Sequence, residues 1–552
     1  MSRPLPPDLQ RAISAWTAQD PDPTTRARTG ELLSRTAGGE QDARDELVDA
    51  FTGRLAFGTA GLRGALGPGP NRMNRVVVGQ AAAGLATYLL DTGGAGQPVL
   101  VGYDARHGSA QFARDTAEIM AAAGFETLLT PRPTPTPVVA FGIRHFRCAA
   151  AVMVTASHNP PQDNGYKVYL GDGSQIVPPA DADIAARIEQ VTRHALADVP
   201  RSDDYRVLGE ELEDAYLERL ATLVPTDAPR ALRWVYTPMH GVGGSLVSRA
   251  VAAAGFPAAA VVAAQAEPDP DFPTVPFPNP EEPGAIDLAL AQARGSGADL
   301  VVANDPDADR CAAAVVVDGG WRMLTGDELG TLLGEDALRR GVQGTYAASV
   351  VSSSLLSRIA AAYGQPFTTT LTGFKWIGRV PGLAFGYEEA IGYCVDPEAV
   401  PDKDGMSALL RVLQLAAGLA AEGRTLADRL DDIARTHGVH ETSQLSFRVA
   451  ELSLIIDAMA RLRAAPPERL LGSAVDVVDL GPGHDHLPPT DAVMITGEMT
   501  KVVVRPSGTE PKLKCYLEVH LDPAPDVAGA RAKARASVAQ LREEMAGLLP
   551  LS

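Results

Sequence analysis

Val76-Val-Val78, then Gly79–Leu90, then Pro98-Val-Leu-Val-Gly102, then Gln111–Gly124: short apolar runs alternate here with amphipathic stretches of helical length. A short Val/Leu run suits a strand buried on both faces, and the longer stretch suits a helix that covers it. The alternation predicts βα units and a parallel sheet. Outward from this region the rhythm returns at Leu232-Arg-Trp-Val-Tyr236 followed by Ser245–Ala254, at Ala298-Asp-Leu-Val-Val-Ala303, and at Tyr346–Val351 followed by Ser354–Tyr363. After about residue 440 the pattern changes. Gln444–Val449, Ala474–Leu480, Ala492–Ile495, Lys501–Arg505 and Cys515–Leu521 read as strands, and Val527–Leu548 reads as a closing helix. Before residue 50, Leu9, Ile13, Trp16, Leu32, Leu33 and Leu47 recur at helical spacing, which predicts two or three helices. The expectation is an α/β protein with three α/β domains and a smaller C-terminal α+β domain. The divisions fall at residues 1–225, 226–335, 336–440 and 441–552.

The chain has 552 residues, too many for one compact core. Its formal net charge of −19 argues against nucleic acid as a partner, because backbone phosphates demand a basic surface. No stretch approaches roughly 18 uninterrupted apolar residues, so no membrane-spanning helix is expected. Met1-Ser-Arg-Pro-Leu-Pro-Pro7 carries no apolar segment with a cleavage site, and a cytoplasmic location is the default expectation. Cys148, Cys311, Cys394 and Cys515 form no CxxC pair and read as reduced, buried side chains. An acidic chain that binds an anion must concentrate its positive charge locally.

Four strings carry chemistry. The first is Thr155-Ala-Ser157-His158-Asn159-Pro160, running on through Asn164-Gly165-Tyr166-Lys167. It follows the apolar run Ala149–Val154, so Ser157 stands where a buried strand meets a turn, and Asn-Pro discourages continuation as helix. A serine hydroxyl needs a base or a cation to become a good nucleophile, and His158 and Lys167 are at hand. The second is Asp305-Pro-Asp307-Ala-Asp309-Arg310, after the strand residues Leu300-Val-Val-Ala303. On an extended segment carboxylates at i, i+2 and i+4 point the same way. Such a self-repelling cluster of hard oxygens suits Mg²⁺. It is not an EF-hand loop, because the sixth and twelfth positions hold Arg310 and Val316.

The third string is Arg505-Pro-Ser507-Gly508-Thr509-Glu510-Pro-Lys512, between two strands. An arginine, two hydroxyls, a glycine and a lysine make a compact anion cradle, the local positive site that an acidic chain requires. The fourth is Gly373-Phe-Lys375-Trp376 with Gly386-Tyr-Glu388-Glu389-Ala390-Ile-Gly392 and Asp402-Lys403-Asp404-Gly405. Its paired carboxylates suit vicinal sugar hydroxyls, and Lys375 and Lys403 suit phosphate or proton transfer. Two other stretches fail as sites. Tyr236-Thr-Pro-Met-His240-Gly241-Val-Gly243-Gly244 lacks GxGxxG spacing, and His484 and His486 lack further ligands nearby.

In this order the four strings resemble the α-D-phosphohexomutase family, which includes phosphoglucomutase and phosphomannomutase. The resemblance covers nearly the whole chain and extends to Phe57-Gly-Thr-Ala-Gly-Leu-Arg63-Gly64, similar to the family's N-terminal signature with its phosphate-contacting arginine. It implies a heart-shaped molecule of four domains around a central cleft. It also implies a phosphoserine at Ser157 and Mg²⁺ held by Asp305, Asp307 and Asp309 with that phosphate. By the same resemblance His158, Lys167 and Lys403 are the proton-transfer candidates, and Arg63 completes the catalytic set. Arg310, Lys375 and Glu388 would contact the sugar phosphate. Arg505, Ser507, Gly508, Thr509 and Lys512 would hold the phosphate that is not reacting.

The implied reaction interconverts sugar 1-phosphate and sugar 6-phosphate, glucose first among the sugars, with a sugar 1,6-bisphosphate as intermediate and activator. The expected partners are small sugar phosphates, and the expected assembly is a monomer or homodimer. The N-terminal extension and Glu388-Glu-Ala-Ile-Gly-Tyr393 look most like the phosphoglucomutase-2 branch, which also holds phosphopentomutases and glucose-1,6-bisphosphate synthases. Where many phosphoglucomutases carry Glu-x-Ser, this chain carries Glu388-Glu389-Ala390. The missing hydroxyl removes a hydrogen bond worth about 0.5–1.5 kcal/mol and keeps pentose phosphates open as substrates. An aspartate-based phosphatase with Asp305 as nucleophile, and a non-catalytic phosphosugar-binding protein, are the remote alternatives. Asp309 stands where the phosphatase signature has Thr or Val, and none of Ser157, the three aspartates or Lys167 has been lost.

Overall fold

The structure, a computed structural model, describes residues 5–449, 451–507 and 512–549. Three helices open the chain, Pro7–Gln19, Pro23–Ala37 and Gln41–Phe51. The first two begin on a proline, whose fixed φ and missing N–H suit a helix's first position. Four sheets follow. The chain divides into two compact units, one of Met1–Ala314 with Asp396–Gln414 and one of Val315–Val395 with Leu415–Ser552.

The first unit holds a six-stranded sheet in the order Leu62–Ala65, Asp163–Leu170, Ala150–Val154, Val99–Tyr103, Thr127–Leu129, Arg206–Val207. Val99–Tyr103 runs parallel to both of its neighbours, whereas Asp163–Leu170 is antiparallel to Ala150–Val154 and to Leu62–Ala65. Every residue of Ala150–Val154 is buried, as a continuous apolar run in a parallel sheet should be. In the second sheet Leu300–Asn304 lies parallel to Trp234–Thr237 and antiparallel to the strand that begins at Cys311.

One element differs from its sequence reading. Val76-Val-Val78 is not a strand but the first turn of the helix Arg75–Asp91, capped by Asn74 Oδ1 accepting from Val77 N–H at 3.0 Å. All three valines are buried, and a helix that is apolar on every side looks strand-like in a short window.

In the second unit Thr345–Ser349 pairs in parallel with Phe367–Thr370 and Leu383–Glu388, and Gly392–Cys394 closes that sheet antiparallel. The last sheet is antiparallel, in the order Val439–Arg448, Lys512–Leu521, Thr500–Pro506, Val493–Gly497, Ser473–Asp479, Arg469–Leu470. Along Lys512–Leu521, Leu513, Cys515, Leu517 and Val519 face one core with Leu541 and Met545 of the helix Val527–Leu548. Tyr516 faces the other way, into a cluster with Val350, Val351, Leu371 and Val503. The alternation is the period of two that a sheet covered on both faces imposes. The four cysteines are free and buried, as expected. Among the described residues no helix is long and apolar enough to cross a membrane.

Candidate active site

The strand Ala150–Val154 runs into a turn in which Ser157 has φ +53°, a left-handed conformation that costs a non-glycine residue about 1–3 kcal/mol. Ser157 N–H donates to Thr155 Oγ1 at 2.8 Å. Its hydroxyl donates to Asp305 Oδ2 at 3.0 Å and lies 3.1 Å from His158 Nδ1. Sheet register supplies the neighbours. Met153 pairs with Lys167 and Arg63 pairs with Gly165, so residues far apart in sequence stand around the end of one strand. Arg63 Nη1 donates to Asn159 Oδ1 at 3.1 Å.

Asp305, Asp307 and Asp309 converge, each offering an oxygen within 4.8 Å of the others. The cause is not strand alternation, as the sequence suggested. The strand ends at Asn304, and the aspartates lie on a turn closed by Ala308 N–H donating to Asp305 O at 2.9 Å, with Ala308 at φ +55°. Thr136 pins the turn from the adjacent segment, its N–H to Asp307 O at 2.9 Å and its hydroxyl to Asp307 Oδ2 at 2.6 Å. Lys167 Nζ donates to Asp307 Oδ2 at 2.7 Å and to Asp309 Oδ2 at 2.9 Å. Lys403 Nζ lies 3.3 Å from Asp309 Oδ2. Arg310 donates its N–H to Asp305 Oδ1 at 3.0 Å, and its guanidinium stands 3.9 Å from Asp309.

The sequence quoted Lys403 with the sugar string and, by resemblance, took it as a proton-transfer candidate; the structure sets it beside the aspartates. The segment Asp396–Gln414 packs into the first unit. Gly405 explains the fit: a Cβ there would come within 2.2 Å of Arg310 O. Asn304 Nδ2 ties the two segments, donating to Arg310 O at 2.6 Å and to Gly405 O at 3.2 Å. The glycine-rich string Tyr236–Gly244 supports the same turn. Tyr236 OH donates to Asn304 Oδ1 at 2.9 Å, Val242 N–H donates to Pro306 O, and a Cβ on Gly241 would meet Pro306 at 2.4 Å.

Burial, then the nearby Asp307 and Asp309, push the Asp305 carboxyl well above the ordinary carboxylate range. Burial presses the same way on Asp307 and Asp309, yet Lys167, joined at Asp309 by Lys403 and Arg310, holds both below that range. The Lys167 ammonium is in turn held charged by those carboxylates against its own burial. Burial, Arg310 and Arg63 keep the His158 imidazole far below its usual value, hence neutral at neutral pH. Asp307 Oδ1 and Asp309 Oδ1 are buried with no hydrogen-bond partner among the described residues. Hard oxygen donors left open beside a serine hydroxyl fit a divalent cation such as Mg²⁺.

The second unit assembles the other strings. Glu388 ends the strand Leu383–Glu388. Glu389, next along the chain, accepts from Ser349 Oγ at 3.2 Å and Ser352 Oγ at 3.3 Å. Lys375 occupies the single-turn helix Phe374–Ile377. The hairpin register sets Arg505 opposite Lys514, and Ser507 N–H donates to Lys512 O at 2.8 Å. Burial and the charge of Glu389 push the Tyr516 hydroxyl well above its usual value, while a hydrogen bond with Arg505 opposes them and Glu388 is close enough to contribute. Gly508 and Thr509 lie outside the described residues.

The chain matches the family models described as Phosphoglucomutase/phosphomannomutase, alpha/beta/alpha domain I at residues 54–195, domain II at 214–319, domain III at 325–437, and C-terminal domain at 445–528. It belongs to the phosphoglucomutase/phosphomannomutase family. A Haemophilus influenzae protein named "Probable phosphomannomutase" is 49% identical over 457 residues, covering 81% of this chain and 93% of its own. A Schizosaccharomyces pombe protein named "Probable phosphoribomutase" is 36% identical over 568 residues, covering 93% and 94%. A solved structure from Thermus thermophilus, assigned as a phosphomannomutase, superposes with a TM-score of 0.68 at 26% identity, covering 88% of this chain and 99% of that one. The chain is thus an enzyme of the phosphomutase family. Ser157 falls in the family's domain I, the aspartates in domain II, Glu388 in domain III and Arg505 in the C-terminal domain.

Sequence reasoning missed Thr136, Asn304 and Arg106 in this family member. Each is a common residue in a loop, at a helix start or at a strand end, and each acts on a segment 51 or more residues away, as Arg106 does on Ser157. The only local signal was Asp104-Ala-Arg106 at the end of a buried strand.

Proposed function

We propose that this enzyme is a Mg²⁺-dependent phosphosugar mutase with Ser157 as its phosphoryl carrier, interconverting glucose 1-phosphate and glucose 6-phosphate through a glucose 1,6-bisphosphate. One observation carries the reading: the Ser157 hydroxyl lies 3.0 Å from Asp305 Oδ2, inside a triad with two open carboxylate oxygens. In the transfer, the P–O bond to Ser157 breaks as one forms to the sugar hydroxyl, whose proton passes to a base. His158, Lys167 and Lys403 are the proton-transfer candidates, with Lys167 and Lys403 beside Asp309. Asp305, Asp307 and Asp309 would hold Mg²⁺, which supplies charge neutralisation for the phosphoryl group. Arg63 and Arg310 add positive charge near the serine, and a sugar 1,6-bisphosphate would load it.

Lys375 and Glu388 would take the sugar, and the cradle of Arg505, Ser507, Gly508, Thr509 and Lys512 the phosphate that is not reacting. Arg505→Ala should weaken sugar-phosphate binding by about 1.5–3 kcal/mol, the worth of a charge-assisted hydrogen bond. Michaelis constants for glucose 1-phosphate and glucose 6-phosphate should rise together, because each end of the substrate takes its turn in the cradle. Phosphate on Ser157 should survive. Unchanged constants for both substrates would place the resting phosphate elsewhere.

A second reading, a phosphopentomutase acting on ribose or deoxyribose 1- and 5-phosphates, is favoured by Ala390 and by the phosphoribomutase relative. Specific activity on glucose, mannose, ribose and deoxyribose 1-phosphates separates the two. Highest kcat/KM on glucose 1-phosphate supports the first reading, and highest kcat/KM on a pentose phosphate replaces it with the second.

A further inference from the structure

Arg106 lies in the loop after the strand Val99–Tyr103, and its side chain is 1% exposed. Its Nη2 donates to Ser157 O at 2.7 Å and to Asn159 O at 2.5 Å. Its Nη1 donates to Pro160 O at 2.8 Å and Asp163 O at 3.1 Å. One guanidinium thus gathers four carbonyls of the loop that carries the serine. Asp104 Oδ2 stands 3.4 Å from Nε, and the ring of Phe272 lies 4.9 Å from the guanidinium carbon. Asp104 is itself fixed, accepting from Arg106 N–H at 3.0 Å and Ser109 Oγ at 2.6 Å, and Ser109 Oγ accepts from Asn164 Nδ2 at 2.9 Å.

We propose that Arg106 is the positioning residue of the carrier serine, an inference that rests on the phosphoserine reading above. A left-handed Ser157 does not hold itself, since the conformation is unfavourable for any residue with a Cβ. The fork across residues 157–163 holds it, and so aims Oγ at Asp305. Only arginine suits the task. Its planar fork presents five donors in fixed directions, whereas lysine offers three from one point and cannot span four carbonyls. Phosphoryl transfer depends on alignment, and a displacement of about 1 Å at the carrier costs about a hundredfold in rate. Arg106 spends its Nη donors on loop carbonyls, so its loss should act on turnover and not on substrate binding.

The test uses the full chain with Mg²⁺, measuring steady-state kinetics alongside the rate at which Ser157 takes label from labelled glucose 1,6-bisphosphate. Arg106→Lys and Arg106→Gln should lower kcat about a hundredfold. Labelling should slow in step, and the Michaelis constant and half-saturating Mg²⁺ should move only a few-fold. Asp104→Asn should show the same split more weakly. If Arg106→Gln fails to fold, Arg106→Lys decides. Turnover of Arg106→Lys within a few-fold of wild type, or a rise in Michaelis constant with undiminished labelling, overturns the inference. Wild type that turns over without ever labelling Ser157 overturns the phosphoserine reading and this inference together.

Discussion

Ser157→Ala should lower mutase turnover by several orders of magnitude while the chain still folds. The loss is large because the substitution removes the atom that carries the phosphoryl group, and single removals of a nucleophile cost about 10⁴–10⁶-fold in well-studied enzymes. Folding should survive because the hydroxyl contributes only its hydrogen bonds with Asp305 Oδ2 and His158 Nδ1, each worth about 0.5–1.5 kcal/mol. Alanine must still adopt the left-handed turn, which the surrounding loop imposes. Added glucose 1,6-bisphosphate should not rescue this variant, since nothing remains to load. Thermal unfolding and steady-state kinetics on the same preparation check both halves. A folded Ser157→Ala enzyme with near-normal turnover would remove Ser157 from the chemistry.

Chelation should produce the second large effect. EDTA should reduce turnover to background and excess Mg²⁺ should restore it, because the triad's open oxygens are then the seat of a required cation. Asp307→Asn should raise half-saturating Mg²⁺ by at least about tenfold, the usual scale for disturbing a metal site. Stability should change far less. Three buried carboxylates repel one another, so removing one charge offsets the lost contact with Lys167. The rival in which Asp305 is the nucleophile is disfavoured by geometry, since both oxygens are engaged, with Ser157 Oγ and Arg310 N–H. Full turnover in EDTA would contradict the metal assignment.

The site was legible wherever chemistry is written in a few consecutive residues. Thr155–Pro160 and Asp305–Arg310 each compress a loop's function into one string, and the strand rhythm placed both at strand ends. The reason for the triad's convergence was not legible, because a left-handed Ala308 leaves no compositional mark. Lys403 was named as a proton-transfer candidate, but its place beside Asp309 was not legible, because the contact of Gly405 with Arg310 O sets it. The contacts of Glu389 with Ser349 and Ser352 were not legible, because those serines lie 40 and 37 residues earlier in the chain. Of the fold, the strands Val99–Tyr103, Leu300–Asn304, Ser473–Asp479 and Thr500–Pro506 were read within a few residues, whereas the apolar strand Cys311–Val317 was not read. Val76–Val78 failed because a fully buried helix and a buried strand share the same local composition.

The central claim is that Ser157 carries the phosphoryl group. It is tested most directly by incubating the enzyme and Mg²⁺ with glucose 1,6-bisphosphate labelled in both phosphates, then mapping the label by peptide mass spectrometry. The account predicts label on Ser157 alone, returned to unlabelled glucose 1-phosphate when that substrate is added. Label on Asp305, or turnover with no covalent label on Ser157, would contradict it.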